Sequence, residues 1–224
     1  MIVTIGQPGL FPWWGTFAKA AISDVVVHLD HVSWQKGGYL NRFRVAEGRG
    51  PASWCTIPLE RPMLGTPITE VRARDPREWL QVHAERLDRA GPASHELAHQ
   101  LLRETYLGEA TSLSGLAERS TELVASALGL TTSFVRSADL APSGSSTPML
   151  LGLLRSLGAD TYVFGPGRRG LEQHYLDIGM LQSSGVRVGV ARYADHPRMS
   201  ILRDIANRGV NALENAGLSI EWLE

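Results

Sequence analysis

The residues best suited to chemistry begin near the N-terminus, where Gln7, Trp13, Lys19, Asp30, Lys36, Asn41 and Arg42 fall on several short elements around one strand end. Asp30 could orient an amine or accept its proton. Lys36 and Arg42 could hold an anionic group, Arg42 with the more rigid fork of donors. Asn41 and Gln7 could fix an amide or a sugar hydroxyl. The same side chains also suit plainer ends: Asp30 can bond local backbone, Lys36 and Arg42 can stay solvated, and the aromatics can pack.

Other groups compete. Arg168, Arg169, His174 and Tyr175 follow a strand and two loop glycines, a setting in which helix N–H groups and guanidinium ions can take an anion together. Gly165-Pro-Gly-Arg-Arg-Gly170 matches neither the phosphate-binding nor the dinucleotide glycine pattern, so ATP and NAD find no support, and a basic surface turn over a packed Tyr175 is the simpler use. His95-Glu96-Leu97-Ala98-His99 is a literal His-Glu-x-x-His string. On a helix its two imidazoles could share a zinc ion, Glu96 could act as base, and Glu118 or Glu122 could complete the ligands of a hydrolase. So short a string also arises by chance, on two surface histidines. Cys55, the single cysteine, sits in a strand-like Trp54-Cys-Thr-Ile-Pro58 run that reads as packing. Ser200 reads as the cap of a helix starting at Ile201, since no Gly-x-Ser-x-Gly elbow surrounds it.

The elements that must position these groups alternate. Met1–Ile5 predicts a strand broken by Gly6-Gln7-Pro8-Gly9, Trp14–Ala21 a short helix, and the β-branched run from Asp24 to Asp30 a buried strand. Residues 31–49 read as a loop with a short strand, and Ser53–Leu59 and Ile68–Arg72 as further strands. Trp79, Val82, Leu87 and Ala90 mark a helix ended by Gly91-Pro92. Ser94 could cap the next helix, through about Tyr106, and Leu116, Leu123, Val124 and Ala127 mark a third, closed by Gly129. Thr147 could cap a helix with Pro148 in its first turn and Gly158 at its stop. Thr161–Phe164 and Val186–Tyr193 then read as strands, Leu171–Gln182 and Ile201–Leu213 as helices. This order predicts an α/β fold, a mixed sheet with surrounding helices, as one domain over residues 1–224.

Composition narrows the function. The chain's 22 Lys and Arg against 23 Asp and Glu give a formal charge of -1, so no global field draws it to nucleic acid or an anionic membrane. One cysteine excludes an internal disulfide framework and suits a reducing compartment. Pro8 and Pro12 interrupt the N-terminal apolar stretch that a signal peptide needs, and no apolar run is long enough to span a bilayer. A cytoplasmic location is expected, without a membrane or nucleic-acid partner. The size also permits a homodimer.

Gln7-Pro8, Phe11-Pro12-Trp13, Gly15, Phe17, Lys19, Asp24, Asp30 and Asn41-Arg42 resemble, in order and spacing, the WbqC-like protein family. The resemblance continues through Trp54, Thr56-Ile57-Pro58, Trp79, Ser137, Gly158-Ala-Asp-Thr-Tyr162, Gly165 and Tyr175 to Leu181, Gly185-Val186, Met199-Ser-Ile-Leu202, Asp204, Asn207 and Gly209, nearly the full length. It implies a role in polysaccharide or specialised-metabolite biosynthesis, as an acyl or aminoacyl transferase acting on an amine-bearing small molecule or nucleotide sugar. The implied donor is acyl-CoA or a phosphopantetheine-linked thioester, the latter brought by an acyl carrier protein, with no tightly bound cofactor. Asp30, Lys36, Asn41 and Arg42 are then the expected catalytic residues, and Gln7, Trp13, Lys19, Ser137, Arg169, Tyr175 and Asp204 the expected substrate contacts. The family's usual His before Gln-Pro is Gly6 here. The alternatives are a zinc hydrolase built on His95, His99 and Glu118, and a noncatalytic assembly protein.

Overall fold

The computed structural model describes residues 1–46, 52–61, 63–90, 96–110, 112–166 and 176–224. Strand β1 (Ile2–Gly6) is the axis of the molecule. Helix α1 (Trp14–Ala20) returns the chain so that β2 (Val25–His28) lies parallel to β1, with Val3 opposite Val25 and Gly6 opposite His28. On the other flank β1 pairs with β6 (Thr161–Phe164), setting Ile2 beside Thr161. With β5 (Ser133–Arg136), β7 (Arg187–Arg192) and β8 (Ser219–Trp222) the sheet runs β5-β2-β1-β6-β7-β8, parallel except for β8.

Residues between β2 and β5 form a largely helical insertion. It contains an antiparallel pair, β3 (Arg42–Ala46) and β4 (Ala52–Thr56), followed by α2 (Leu80–Asp88), α3 (Glu96–Tyr106) and α4 (Leu113–Ala127). Helices α5 (Ser146–Ser156), α6 (Ile178–Ser183) and α7 (Ile201–Arg208) complete the second half.

Strand alternation divides the core in two. Val3, Ile5 and Val27 pack with Leu153, Leu154, Leu181 and Val188 on one side. The intervening Thr4, Val26 and His28 turn toward the opposite side, where Phe17, Phe43, Tyr106, Val124 and Ile205 form the larger cluster. Each fully buried Leu or Phe contributes roughly 1.5–3 kcal/mol, against about 1 kcal/mol for a typical hydrogen bond, so packing rather than polar contact holds the frame.

The α/β fold with a mixed sheet agrees with the sequence, and local differences have physical causes. Ile68–Arg72 is not a strand: Ile68–Glu70 is a single 3-10 turn after Pro67, and Ile68 and Val71, three residues apart, are the buried pair. Thr147 does not cap α5, which starts at Ser146; its hydroxyl accepts the Asp177 N–H at 2.8 Å and ties α5 to the start of α6. Ser200 does cap α7, accepting from the Leu202 N–H at 3.2 Å. Gly129 and Gly158 end their helices at φ +69° and +66°. Strands β5 and β8 carry too few apolar residues to stand out in the sequence, and both are sheet edges. The expected Ser94 cap and the start of the expected 171–182 helix lie outside the described residues; α6 covers only Ile178–Ser183.

Candidate functional site

Strand β1 sends the chain to β2 on one side and receives β6 on the other, so the crevice beyond its C-terminal end is a topological switch point, the usual ligand position of an open parallel sheet. A pocket of about 390 Å³ lies there. The turn after β1 supplies Gln7, Pro8 and Gly9; Trp13 before α1, Thr16 in its first turn and Lys19 in its last turn follow; the insertion supplies Gly38, Tyr39 and Leu40. Gly165 and Pro166 come from the end of β6, and Tyr193 and Arg198 from the segment after β7.

The turn is fixed by its buried residues. Phe11 adopts φ +41°, a strained conformation for a side chain of its size, and is held there by full burial against Phe43 and Tyr106 at ring distances of 5.2 and 6.3 Å. Its N–H donates to Ser120 Oγ at 3.0 Å and its carbonyl accepts from Ser200 Oγ at 2.9 Å. Trp13 lies across Gly15, where an added Cβ would come within 2.4 Å of the indole. Tyr193 meets the Trp13 ring edge-on at 5.9 Å, and the Arg198 guanidinium stands 5.5 Å from its centre.

Arg42 and Asn41 shape the wall without lining the cavity. Arg42 donates to the carbonyls of Gly37 and Gly38 and lies 4.1 Å over the Trp54 ring, which Tyr39 meets at 5.3 Å and the Arg44 guanidinium at 5.7 Å. Asn41 Nδ2 donates to the Ile57 carbonyl at 2.7 Å. Lys36 is exposed and is not among the lining residues.

Asp30 also stands outside the pocket lining. It is fully buried; Oδ1 accepts from Ser137 Oγ and the Ala138 N–H, both at 2.9 Å, and Oδ2 accepts from Arg136 Nε at 3.1 Å. Asp30 and Ser137 thus fasten the ends of β2 and β5 together. Glu118 approaches the same Arg136 at 3.4 Å, and burial, only partly opposed by that cation, raises its pKa to about 7. Asp204 acts at one remove: its Oδ1 pairs with His196 Nε2 at 3.1 Å, and His196 stacks on Trp14 at 4.8 Å, fixing the segment that carries Tyr193 and Arg198. Desolvation raises the pKa of Asp204.

A second, smaller cavity of about 60 Å³ lies behind the first and shares Gln7, Pro8, Gly9, Pro12, Thr16 and Lys19 with it; its inner wall holds Thr4, Val26, His28 and Thr121. His28 is 3% exposed and stacks on Phe134. Burial lowers its pKa to about 4, with Asp30 opposing and Arg136 adding to the shift. Gly6, its partner in register, leaves open space where a Cβ would point.

Of the expected site residues, Gln7, Trp13 and Lys19 therefore meet at one cavity, while Asp30, Ser137, Asn41, Arg42 and Asp204 support its surroundings. Arg169, Tyr175 and His95 lie outside the described residues. His99 Nε2 is bonded to Asp88 Oδ1 at 2.7 Å, and among the described residues no three His, Cys, Asp or Glu side chains converge as a metal cage. The sequence reading did not single out Tyr39, Tyr193, Arg198 or Thr4; Tyr39 is brought in by the Leu10 N–H bonding its carbonyl, and Tyr193 and Arg198 by the pairing of β7 with β6 beside β1.

The model of the WbqC-like protein family matches residues 7–204, a span that begins at Gln7 in the pocket and ends at Asp204 behind it. The chain belongs to the WbqC-like protein family. It is 28% identical over 226 aligned positions to the uncharacterized protein Rv1507c of Mycobacterium tuberculosis, a match covering 94% of this chain and 95% of the relative. No solved structure matches significantly. Among the described residues no helix is long and apolar enough to cross a membrane.

Proposed function

We propose that this WbqC-like protein is an acyl or aminoacyl transferase that forms an amide between an activated thioester donor and an amine-bearing metabolite or amino sugar. One observation carries the reading: a switch-point pocket in which Lys19 and Arg198 stand among Trp13, Tyr39 and Tyr193, with no Asp or Glu lining it among the described residues. Aromatic faces beside cations suit a ligand with rings and phosphates. Acyl-CoA, a carrier-bound phosphopantetheine arm and a nucleotide sugar share that chemistry, and a reducing cytoplasm would keep the donor's thiol product free.

In the reaction the amine nitrogen bonds to the thioester carbon and the carbonyl electron pair moves onto oxygen. The pair then returns, the carbon–sulfur bond breaks, and the thiol leaves with a proton. Lys19, shared by the two cavities, is the group to stabilise the developing oxyanion, assisted by the Gln7 amide; Arg198 at the rim would hold donor phosphate.

The test is thiol release with amide formation, using a panel of acyl- and aminoacyl-CoA thioesters with glucosamine, nucleotide-linked amino sugars and hydroxylamine. Arg198→Ala is expected to raise KM for the CoA donor roughly tenfold, about 1.4 kcal/mol. Failure of every pairing to yield amide overturns the reading.

A further inference from the structure

We infer that the inner chamber behind the pocket seats the attacking amine, with His28 Nε2 as its proton acceptor and Thr4 Oγ1 as its second contact. The inference rests on the transfer reading above and assigns the acceptor's reacting group a place.

Size comes first. A chamber of about 60 Å³ has room for a primary amine and its neighbouring carbon. The rest of the acceptor would remain in the larger pocket, with which the chamber shares its outer wall.

Polarity follows. Thr4 Oγ1 and His28 Nε2, each on a residue 3% exposed, have no hydrogen-bond partner among the described residues. A buried polar atom left in that state costs about 1–3 kcal/mol, so an occupant that both donates and accepts is favoured. A neutral primary amine has two N–H donors and one lone pair. Phe134 stacks on the imidazole, Val26 lines the chamber beside it, and no carboxylate lines the chamber among the described residues. Beside the Lys19 ammonium, an incoming amine is favoured as the free base, the form that attacks. A carboxylate could pair with Lys19, but it brings no N–H or O–H for a proton-accepting His28 Nε2.

His28 is uncharged at neutral pH, because burial holds its basicity down. That weakness does not prevent it acting: the nitrogen of the addition intermediate carries positive charge and is a far stronger acid than a free ammonium ion. The carbon–nitrogen bond forms, the nitrogen's proton passes to His28 Nε2, and the same proton leaves with the thiolate as the carbon–sulfur bond breaks. Amine and thioester become amide and thiol, and His28 returns to its starting state.

The probe is hydroxylamine, a small amine that is uncharged near neutral pH and is a competent acyl acceptor. In the full-length protein labelled with nitrogen-15 histidine, it is expected to shift the His28 ring-nitrogen resonances saturably, while methylammonium and acetate do not. Thr4→Val, which keeps the residue's shape, is expected to weaken that shift at least tenfold. A shift produced by acetate instead, or by none of the three, overturns the assignment. With an active thioester, His28→Gln is expected to slow hydroxamate formation roughly 10²- to 10⁴-fold at unchanged KM for the donor. Wild-type rates in His28→Gln overturn the role of His28 alone, whereas no hydroxamate from the wild type counts against the transfer reading itself.

Discussion

Trp13 owes its place against the pocket to a missing side chain. Because a Cβ on Gly15 would fall 2.4 Å from the indole, Gly15→Val must push that ring out of its seat, although Gly15 lies in α1 and touches no ligand. Gly15→Val is therefore expected to lower affinity for a CoA thioester by at least tenfold, measured by calorimetry, with the far-ultraviolet spectrum of the fold retained; unchanged affinity would show that Trp13 is not a wall of the site. Asp30 gives the opposite case. Its carboxylate is enclosed by Arg136, Ser137 and the Ala138 N–H, so Asp30→Ala should cost about 3 kcal/mol in urea unfolding by leaving those donors without their acceptor. At this scale the sequence revealed Gln7, Trp13 and Lys19, which lie within one turn and one helix of each other. It could not reveal what Asp30 and Arg42 do with their charges, because a polar residue at a strand end looks the same whether it faces a ligand or ties down a backbone.

Helix α7 shows how an element can govern a site that it does not line. Ser200 caps its first turn and also donates to the Phe11 carbonyl, while Asp204 in that turn holds His196. One hydroxyl thus joins the helix start to the turn after β1. Ser200→Ala is expected to cost about 1–2 kcal/mol of stability and to raise donor KM, since both Arg198 and the Phe11 turn lose an anchor; a stability change without a KM change would confine Ser200 to capping. The cap was legible because a serine directly before an amphipathic run has one obvious use. Strand β5 was not: Ser-Phe-Val-Arg has little to distinguish it until it lies beside β2, with Phe134 under His28. The 3-10 turn at Ile68 was misread because a two-residue alternation and a three-residue spacing are hard to separate over so short a stretch.

Across the whole molecule, buried ionisable groups set opposing dependences on pH. His28 and His83 both have pKa values lowered by burial to about 4, so the unfolded chain binds more protons between about 4 and 6.5 and acid removes roughly 3 kcal/mol of stability through each. Glu118, raised by burial to about 7, works the other way: its contribution is complete below about 4.5 and fades as pH rises to about 7. Over these three groups, acidifying from pH 7 to 4 loses roughly 3 kcal/mol. Glu118→Gln removes its share of the opposition, so the same acidification should then cost roughly 3 kcal/mol more than in the wild type, read from urea midpoints at a series of pH values; an unchanged slope would remove Glu118 from the balance.

The pairing of β1 with both β2 and β6 also fixes an order of assembly. During synthesis β1 can pair with β2 once residues 25–28 have followed it, but its other flank stays bare until Thr161 and Tyr162 have been synthesised. Nascent chains stalled before that point would carry an open apolar edge and no binding crevice, which makes them candidates for chaperone capture and for clumping when overproduced.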